Sequence, residues 1–193
     1  IGMGQPGLES FEPAYADEVA LLMAFAFDHM QADGGSSVYL RLTTRQIEQQ
    51  ARPDDRWEAG ALAGAYWLRE PAPGATAAIV YSGAVAPEAL AAWEQLTDDL
   101  PGLGLLAVTS PDRLHRAWSA ARAARWKGGE RTPSHIERLL GQLSPGAGLV
   151  TVLDGSPAAL SWLGGVCGHR VSPLGTDRFG QTGDLPDLYR TYR

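Results

Sequence analysis

The 193-residue chain holds one cysteine, Cys167, which excludes an internal disulfide framework and any metal cluster built on cysteines. Cys167 reads as a small buried side chain, and such sparing use of cysteine fits a reducing cytoplasm. Basic residues are outnumbered, with 16 Lys and Arg against 22 Asp and Glu for a net charge of -6. No basic tail is present. This balance argues against a nucleic-acid or anionic-membrane surface, where Lys and Arg would have to dominate. Long apolar runs are missing too: the longest, around residues 19–27, is too short and too interrupted to cross a bilayer, and residues 1–6 have no basic stretch followed by an apolar core. The expectation is a soluble, cytoplasmic protein. Internal repeats and low-complexity segments are absent, although residues 117–124 are rich in alanine and favour helix.

Several chemical signatures are lacking as well. The sequence has no Gly-x-Ser-x-Gly elbow and no Gly-x-x-x-x-Gly-Lys phosphate loop. His29, His115, His135 and His169 show no paired spacing, and Cys167-Gly168-His169 supplies too few ligands for a metal. Gly2-Met3-Gly4-Gln5-Pro6-Gly7 looks superficially like a nucleotide loop, but it follows no strand and contains Pro6, so it reads as a flexible lead-in.

What remains is the pattern of an α/β chain, long enough for one domain and part of a second. Between residues 13 and 31, Val19, Leu22, Met23, Ala26, Phe27 and Met30 recur at the spacing of one helix face. Leu21 and Phe25 fall off that stripe, which predicts a helix held between two layers. Beyond Asp33-Gly34-Gly35, alternation through residues 38–43 predicts a strand. One helix and one strand cannot close a core, so the remaining strands of their sheet are expected before Ile1. Residues 47–60 carry Gln, Glu, Arg, Asp and Pro and read as an inter-domain linker, dividing residues 1–46 from residues 61–193.

Past the linker, residues 77–81, 105–108 and 149–153 are short apolar runs, as in strands covered on both faces. Helical segments separate them: residues 87–96, residues 111–125 with Ser110 as cap and Pro111 in the first turn, and residues 134–143 opened by the capping box Ser134-His135-Ile136-Glu137. Ser156-Pro157 starts a short helix, and residues 64–69 suggest an antiparallel edge strand. The fold class that follows is α/β, a mostly parallel sheet between helix layers.

Ligands of such sheets collect at the carboxyl ends of the strands. The candidate positions are Ser82-Gly83, Thr109-Ser110 and Asp154-Gly155-Ser156, where helix N-termini could hold a small anion. Each also has a purely structural reading as a cap or turn. Arg45, just beyond the strand at residues 38–43, is the candidate substrate-binding residue. Its guanidinium could face a carboxylate, or it could pair with a linker acid such as Glu48.

Two blocks carry a resemblance. The run Val171-Ser172-Pro173-Leu174-Gly175-Thr176-Asp177-Arg178-Phe179-Gly180-Gln181-Thr182-Gly183 leads into Asp184-Leu185-Pro186-Asp187-Leu188-Tyr189-Arg190, and Ser10-Phe11-Glu12-Pro13-Ala14-Tyr15-Ala16-Asp17-Glu18-Val19-Ala20 lies near the other end. A strand, a Phe-Gly turn and a helix opened by an acid resemble the close of the C-terminal domain of thiamine-diphosphate enzymes of the transketolase superfamily. With Leu-Gly-Thr-Asp before Phe-Gly, the match is most similar to homodimeric-type pyruvate dehydrogenase E1 components. Weaker likenesses to that superfamily occur in Gly64-Ala65-Tyr66-Trp67-Leu68 and Ala107-Val108-Thr109-Ser110.

The resemblance implies a three-layer α/β/α C-terminal domain over residues 61–193, preceded by the last helix and strand of a pyrimidine-binding domain within residues 1–46. It implies that the chain is the C-terminal part of a longer enzyme and is not itself catalytic. That enzyme would decarboxylate pyruvate or another 2-oxo acid with thiamine diphosphate and Mg²⁺, whose ligands match no residue here, and pass the acyl group to a lipoyl-bearing E2 partner. A homodimer is implied as well. Thr43-Thr44-Arg45-Gln46 is similar instead to the strand-end Ser-Arg-Gln of transketolases, whose arginine binds a sugar phosphate. A transketolase-like enzyme, or a non-catalytic binding module on the same fold, are the alternatives.

Overall fold

The computed structural model describes residues 3–129, 131–178 and 183–191. Its first unit is a β–α–β: strand β1 (Leu8–Phe11), helix α1 (Ala16–Gln31) and strand β2 (Ser37–Leu40), with β1 parallel to β2 and Phe11 opposite Leu40. Strand β1 corrects the expectation that every partner of this unit lies before Ile1. Its four residues, Leu-Glu-Ser-Phe, are too short and too polar for an alternation to stand out. Helix α1 starts later than Pro13 because Glu18 turns back and accepts the N–H groups of Ala14 at 2.6 Å and Tyr15 at 3.1 Å, which fixes the first turn at Ala16. The apolar stripe is split. Leu22 is fully buried and Phe25 packs edge-on against Phe11, whereas Met23, Phe27 and Met30 stay exposed.

Residues 41–55 form neither helix nor strand, and the stretch read as linker ends inside helix α2 (Arg56–Ala63). The chain then continues through β3 (Ala65–Arg69), β4 (Ala77–Ser82), α3 (Ala86–Leu96), β5 (Gly104–Val108), α4 (Pro111–Trp126), α5 (His135–Leu140), β6 (Gly148–Leu153), α6 (Ala158–Ser161), β7 (Arg170–Leu174) and α7 (Leu185–Thr191). The five strands from β3 to β7 form one sheet in the order β3-β5-β4-β6-β7, parallel except for the antiparallel edge strand β3. Helix α5 stops at Leu140, short of the expected Leu143, as the chain turns at Gly141.

Alternation along the central strands builds a core on each face. Val80, Leu106 and Leu149 meet Leu114, Trp118, Ile136 and Leu160 on one side, while Ile79, Tyr81, Leu105 and Ala107 meet Ala61, Ala86 and Tyr15 on the other. Each buried Val, Leu or Ile among them contributes roughly 1.5–3 kcal/mol. These are the three expected layers.

The two sheets are tied at the ends of their strands. Glu12 N–H donates to the Thr109 carbonyl at 2.7 Å, and Ser110 Oγ donates to the Ser10 carbonyl at 2.6 Å while accepting from Arg113 N–H as the cap of α4. Near the far end, Asp184 opens α7 by accepting from Asp187 N–H at 2.9 Å. Phe179, Gly180, Gln181 and Thr182 of the signature turn lie outside the described residues. Cys167 is exposed, which corrects its reading as a buried side chain. Among the described residues, no helix is long and apolar enough to cross a membrane.

Candidate functional site at the carboxyl ends of the strands

Strand β4 has β5 on one side and β6 on the other, so the winding of the sheet reverses between β4 and β6. That reversal opens a crevice at their carboxyl ends. A cavity of about 600 Å³ lies there, with Ala84 and Val85 from the turn after β4, Val152 from β6, and Leu185 and Leu188 from α7 in its apolar lining. Arg45, Thr43, Ser156, Thr176, Arg178 and Tyr189 add polar groups.

Arg45 arrives from the irregular segment after β2, and its guanidinium is engaged by Glu88 in the first turn of α3. The contacts are 2.7 Å to Oε1 and 2.9 Å to Oε2, with a third bond of 3.2 Å to the Ala84 carbonyl. The sequence suggested Glu48 as its structural partner; the structure supplies Glu88 instead, because α3 begins beside the end of β2's extension. Burial pushes the Glu88 carboxyl up, but the Arg45 fork and nearby hydrogen bonds outweigh it and hold the group below its ordinary range. The Tyr189 phenol is pushed up by burial and by the Glu88 carboxylate. Both faces of the Arg45 fork are therefore in use. An incoming carboxylate or phosphate has to compete with Glu88 for them.

The other strand-end positions are largely committed to structure. Ser82 Oγ donates to the Val108 carbonyl at 2.9 Å, Thr109 Oγ1 to the Ala61 carbonyl at 2.6 Å, and Ser110 joins the two sheets as described. Asp154 meets Arg41 at 3.3 Å, and Arg41 reaches Glu12 at 3.2 Å, so this chain of charges bridges the sheets too. Gly155 is held by its carbonyl, which accepts from Thr176 N–H at 2.7 Å. Ser156 faces the crevice.

The four histidines stay apart: His29 bonds Ser36, His135 bonds the Ala65 carbonyl, His169 bonds the Leu140 carbonyl, and His115 packs edge-on against Trp162. Among the described residues, no group of three or more His, Cys, Asp or Glu side chains is placed to hold a metal ion.

A second constellation was not anticipated from the sequence. Glu18, fully buried on α1, accepts the Tyr66 phenol from β3 at 2.5 Å. Arg52, from the stretch read as linker, donates to Asp17 at 2.6 Å and to the Tyr66 hydroxyl at 2.9 Å, amid the rings of Tyr15, Trp57 and Tyr66. The only local signal was Glu18 three residues after the cap position Tyr15; its partners come from distant segments.

No protein-family model matches the chain. It is similar to the pyruvate dehydrogenase E1 component of Mycolicibacterium smegmatis, with 27% identity over 198 residues, covering 97% of this chain and 21% of that protein. The chain thus spans about a fifth of the length of the curated relative it matches. Among solved structures it resembles transketolase from Leishmania mexicana, with a TM-score of 0.69 and 18% identity over 97% of this chain and 23% of that one. A split-gene transketolase described as an inactive β4 tetramer gives a TM-score of 0.65 and 18% identity over 99% of this chain and 55% of that one. These likenesses show the fold: the mostly parallel sheet and its helix layers are those of the matching part of transketolases. The similarity to an E1 component agrees with the resemblance carried by Leu174-Gly175-Thr176-Asp177, and the likeness to transketolases agrees with the wider superfamily pattern.

Proposed function

We propose that this chain is the C-terminal part of a thiamine-diphosphate-dependent 2-oxo acid dehydrogenase E1, acting on pyruvate. The observation that carries this reading is the similarity to a pyruvate dehydrogenase E1 component along 97% of the chain. Leu174-Gly175-Thr176-Asp177, which begins at the last residue of β7 and puts Leu174, Gly175 and Thr176 on the wall of the crevice, supports it further. The whole protein would decarboxylate the oxo acid and pass the acyl group to a lipoyl-bearing E2 partner, as a cytoplasmic homodimer.

On this reading thiamine diphosphate and Mg²⁺ are held by other parts of the whole protein, and no chemical step is assigned to the residues of this chain. Their part is structural, with Arg45 at the approach to the substrate. Thr44-Arg45-Gln46 and the likeness to transketolase structures favour the second reading, a sugar-phosphate enzyme on the same fold.

Assays of the whole protein with thiamine diphosphate and Mg²⁺ separate these readings. Release of CO₂ from pyruvate with acylation of a lipoyl domain is the expected outcome; ketol transfer between sugar phosphates supports the second reading instead. The 193-residue chain alone should release no CO₂. Turnover by the chain alone would refute the assignment of a non-catalytic part.

In the whole protein, Arg45→Ala should raise KM for the oxo acid through loss of a charge-assisted contact. In the isolated chain the same change should cost only about 0.5–1 kcal/mol, because the pair with Glu88 is partly exposed and screened. An unchanged KM would leave Arg45 as a structural partner of Glu88.

A further inference from the structure

The edge strand β3 opens, on the side away from β5, into a groove of about 700 Å³. Helix α2 and residues 51–54 form one wall; His135, Arg138 and Leu139 of α5 form the other. A sheet edge presents backbone donors and acceptors that can pair with another extended chain. Two carbonyls of the strand carry side-chain caps, Ala65 from His135 Nε2 at 2.7 Å and Leu68 from Arg69 at 3.0 Å, and Tyr66 and Trp67 lie between them. Trp67, also on the wall, has an indole N–H without an acceptor among the described residues.

The lining is cationic on an acidic protein. Arg52, Arg56, Arg69 and Arg138 face only Asp54 and Glu70 there. Arg52 and Arg56 have acidic partners in Asp17 and Asp54. Arg69 and Arg138 do not. Arg69 bonds the Leu68 carbonyl and Gln50 Oε1, Arg138 bonds the Pro133 carbonyl, and among the described residues neither has a carboxylate at ion-pair distance.

We propose that this groove takes an extended acidic segment of a partner protein, added as a strand along β3 with its carboxylates on Arg69 and Arg138. Backbone pairing supplies the affinity of such an addition, and side-chain charge selects the partner. A second copy of this chain fits less well. A twofold contact through β3 presents the same patch from both sides, bringing Arg69 and Arg138 against their own counterparts.

The test uses the chain as it is and a fluorescent octapeptide alternating glutamate and valine, followed by anisotropy. Saturable binding is expected, weakened about tenfold or more by the double change Arg69→Glu and Arg138→Glu. The doubly changed chain should in turn prefer an octapeptide alternating lysine and valine. Arg138→Glu alone, at an exposed position, serves if the double variant loses its circular dichroism spectrum. An octapeptide with alternate amides N-methylated should bind no better than background. The proposal is overturned by absence of saturable binding, by equal binding to the charge-reversed chain, by full binding of the N-methylated peptide, or by self-association of the chain that blocks the groove.

Discussion

Arg52→Ala is expected to lower the melting temperature by about 6–12 °C, following a loss of about 3 kcal/mol. The cause is what the guanidinium leaves behind. Glu18 is 1% exposed, and Arg52 is the cation facing it, 3.9 Å from Oε1. Asp17 loses a 2.6 Å partner at the same time, and three aromatic rings lose the plate they pack on, with the Trp57 centroid 4.4 Å away. Arg52→Lys should recover part of the loss, since the charge remains while the planar fork does not.

Burial pushes the Glu18 carboxyl above its ordinary value of 4.5, against the pull of Tyr66, the Tyr15 and Ala14 N–H groups and Arg52. A raised carboxyl favours the folded state below its unfolded pKa and withdraws that contribution as the pH climbs through its folded pKa. Without Arg52 the group is pushed higher still. The deficit of the variant should therefore be larger at neutral pH than near pH 4.5, and thermal melts across that range decide the matter. A shift of under a degree at neutral pH would place Arg52 among ordinary surface ion pairs.

Gly64→Ala should cost about 3 kcal/mol, read as a fall in the urea midpoint at constant slope. Gly64 ends α2 in the left-handed region with φ 112°, where a side chain costs roughly 1–2 kcal/mol. It is also crowded: a Cβ there would stand 2.8 Å from the Ser110 carbonyl oxygen and 2.9 Å from Leu114 Cγ. Neither can yield easily, since the Gly64 carbonyl accepts from Thr109 and Ser110 N–H at 2.9 and 3.0 Å and Leu114 is fully buried. Overpacking of this kind adds about 1–3 kcal/mol. Gly128→Ala is the matched control, with φ 76° and nothing within 4 Å of the added methyl. Equal losses in the two variants would mean that the crowding at Gly64 relaxes.

The five-stranded sheet was legible because its central strands are apolar on both faces and its helices announce themselves with Ser110-Pro111 and Ser134-x-x-Glu137. Those signals are local, and local signals survive in a single sequence. Strand β1 was not legible: Glu9 and Ser10 are drawn to Arg116 and to Ser110, partners about a hundred positions away, so no periodicity marks them. Helix α2 was hidden for a related reason, since Arg56-Trp57-Glu58-Ala59-Gly60 looks like linker until Ala61 and Trp57 are seen packed on Tyr66 and its neighbours. At the site, the strand-end position of Arg45 could be read ahead of the structure, but its engagement by Glu88 could not. That contact spans 43 positions.

The bonds that fasten β1 to the turn before α4 set an order of assembly. Ser10 meets Ser110 across 100 positions, and Glu12 meets Thr109 in the same place. Closing so long a loop loses chain entropy before any contact repays it, and contacts of large sequence separation slow folding. During synthesis the first unit leaves the ribosome well before the residues that receive it. Within this chain, β1 and β2 pair only with each other until β5 is laid down and Ser110 emerges, and two strands are marginal by themselves in water. A unit made about a hundred residues before its partners is thus among the last parts of this chain to find its place.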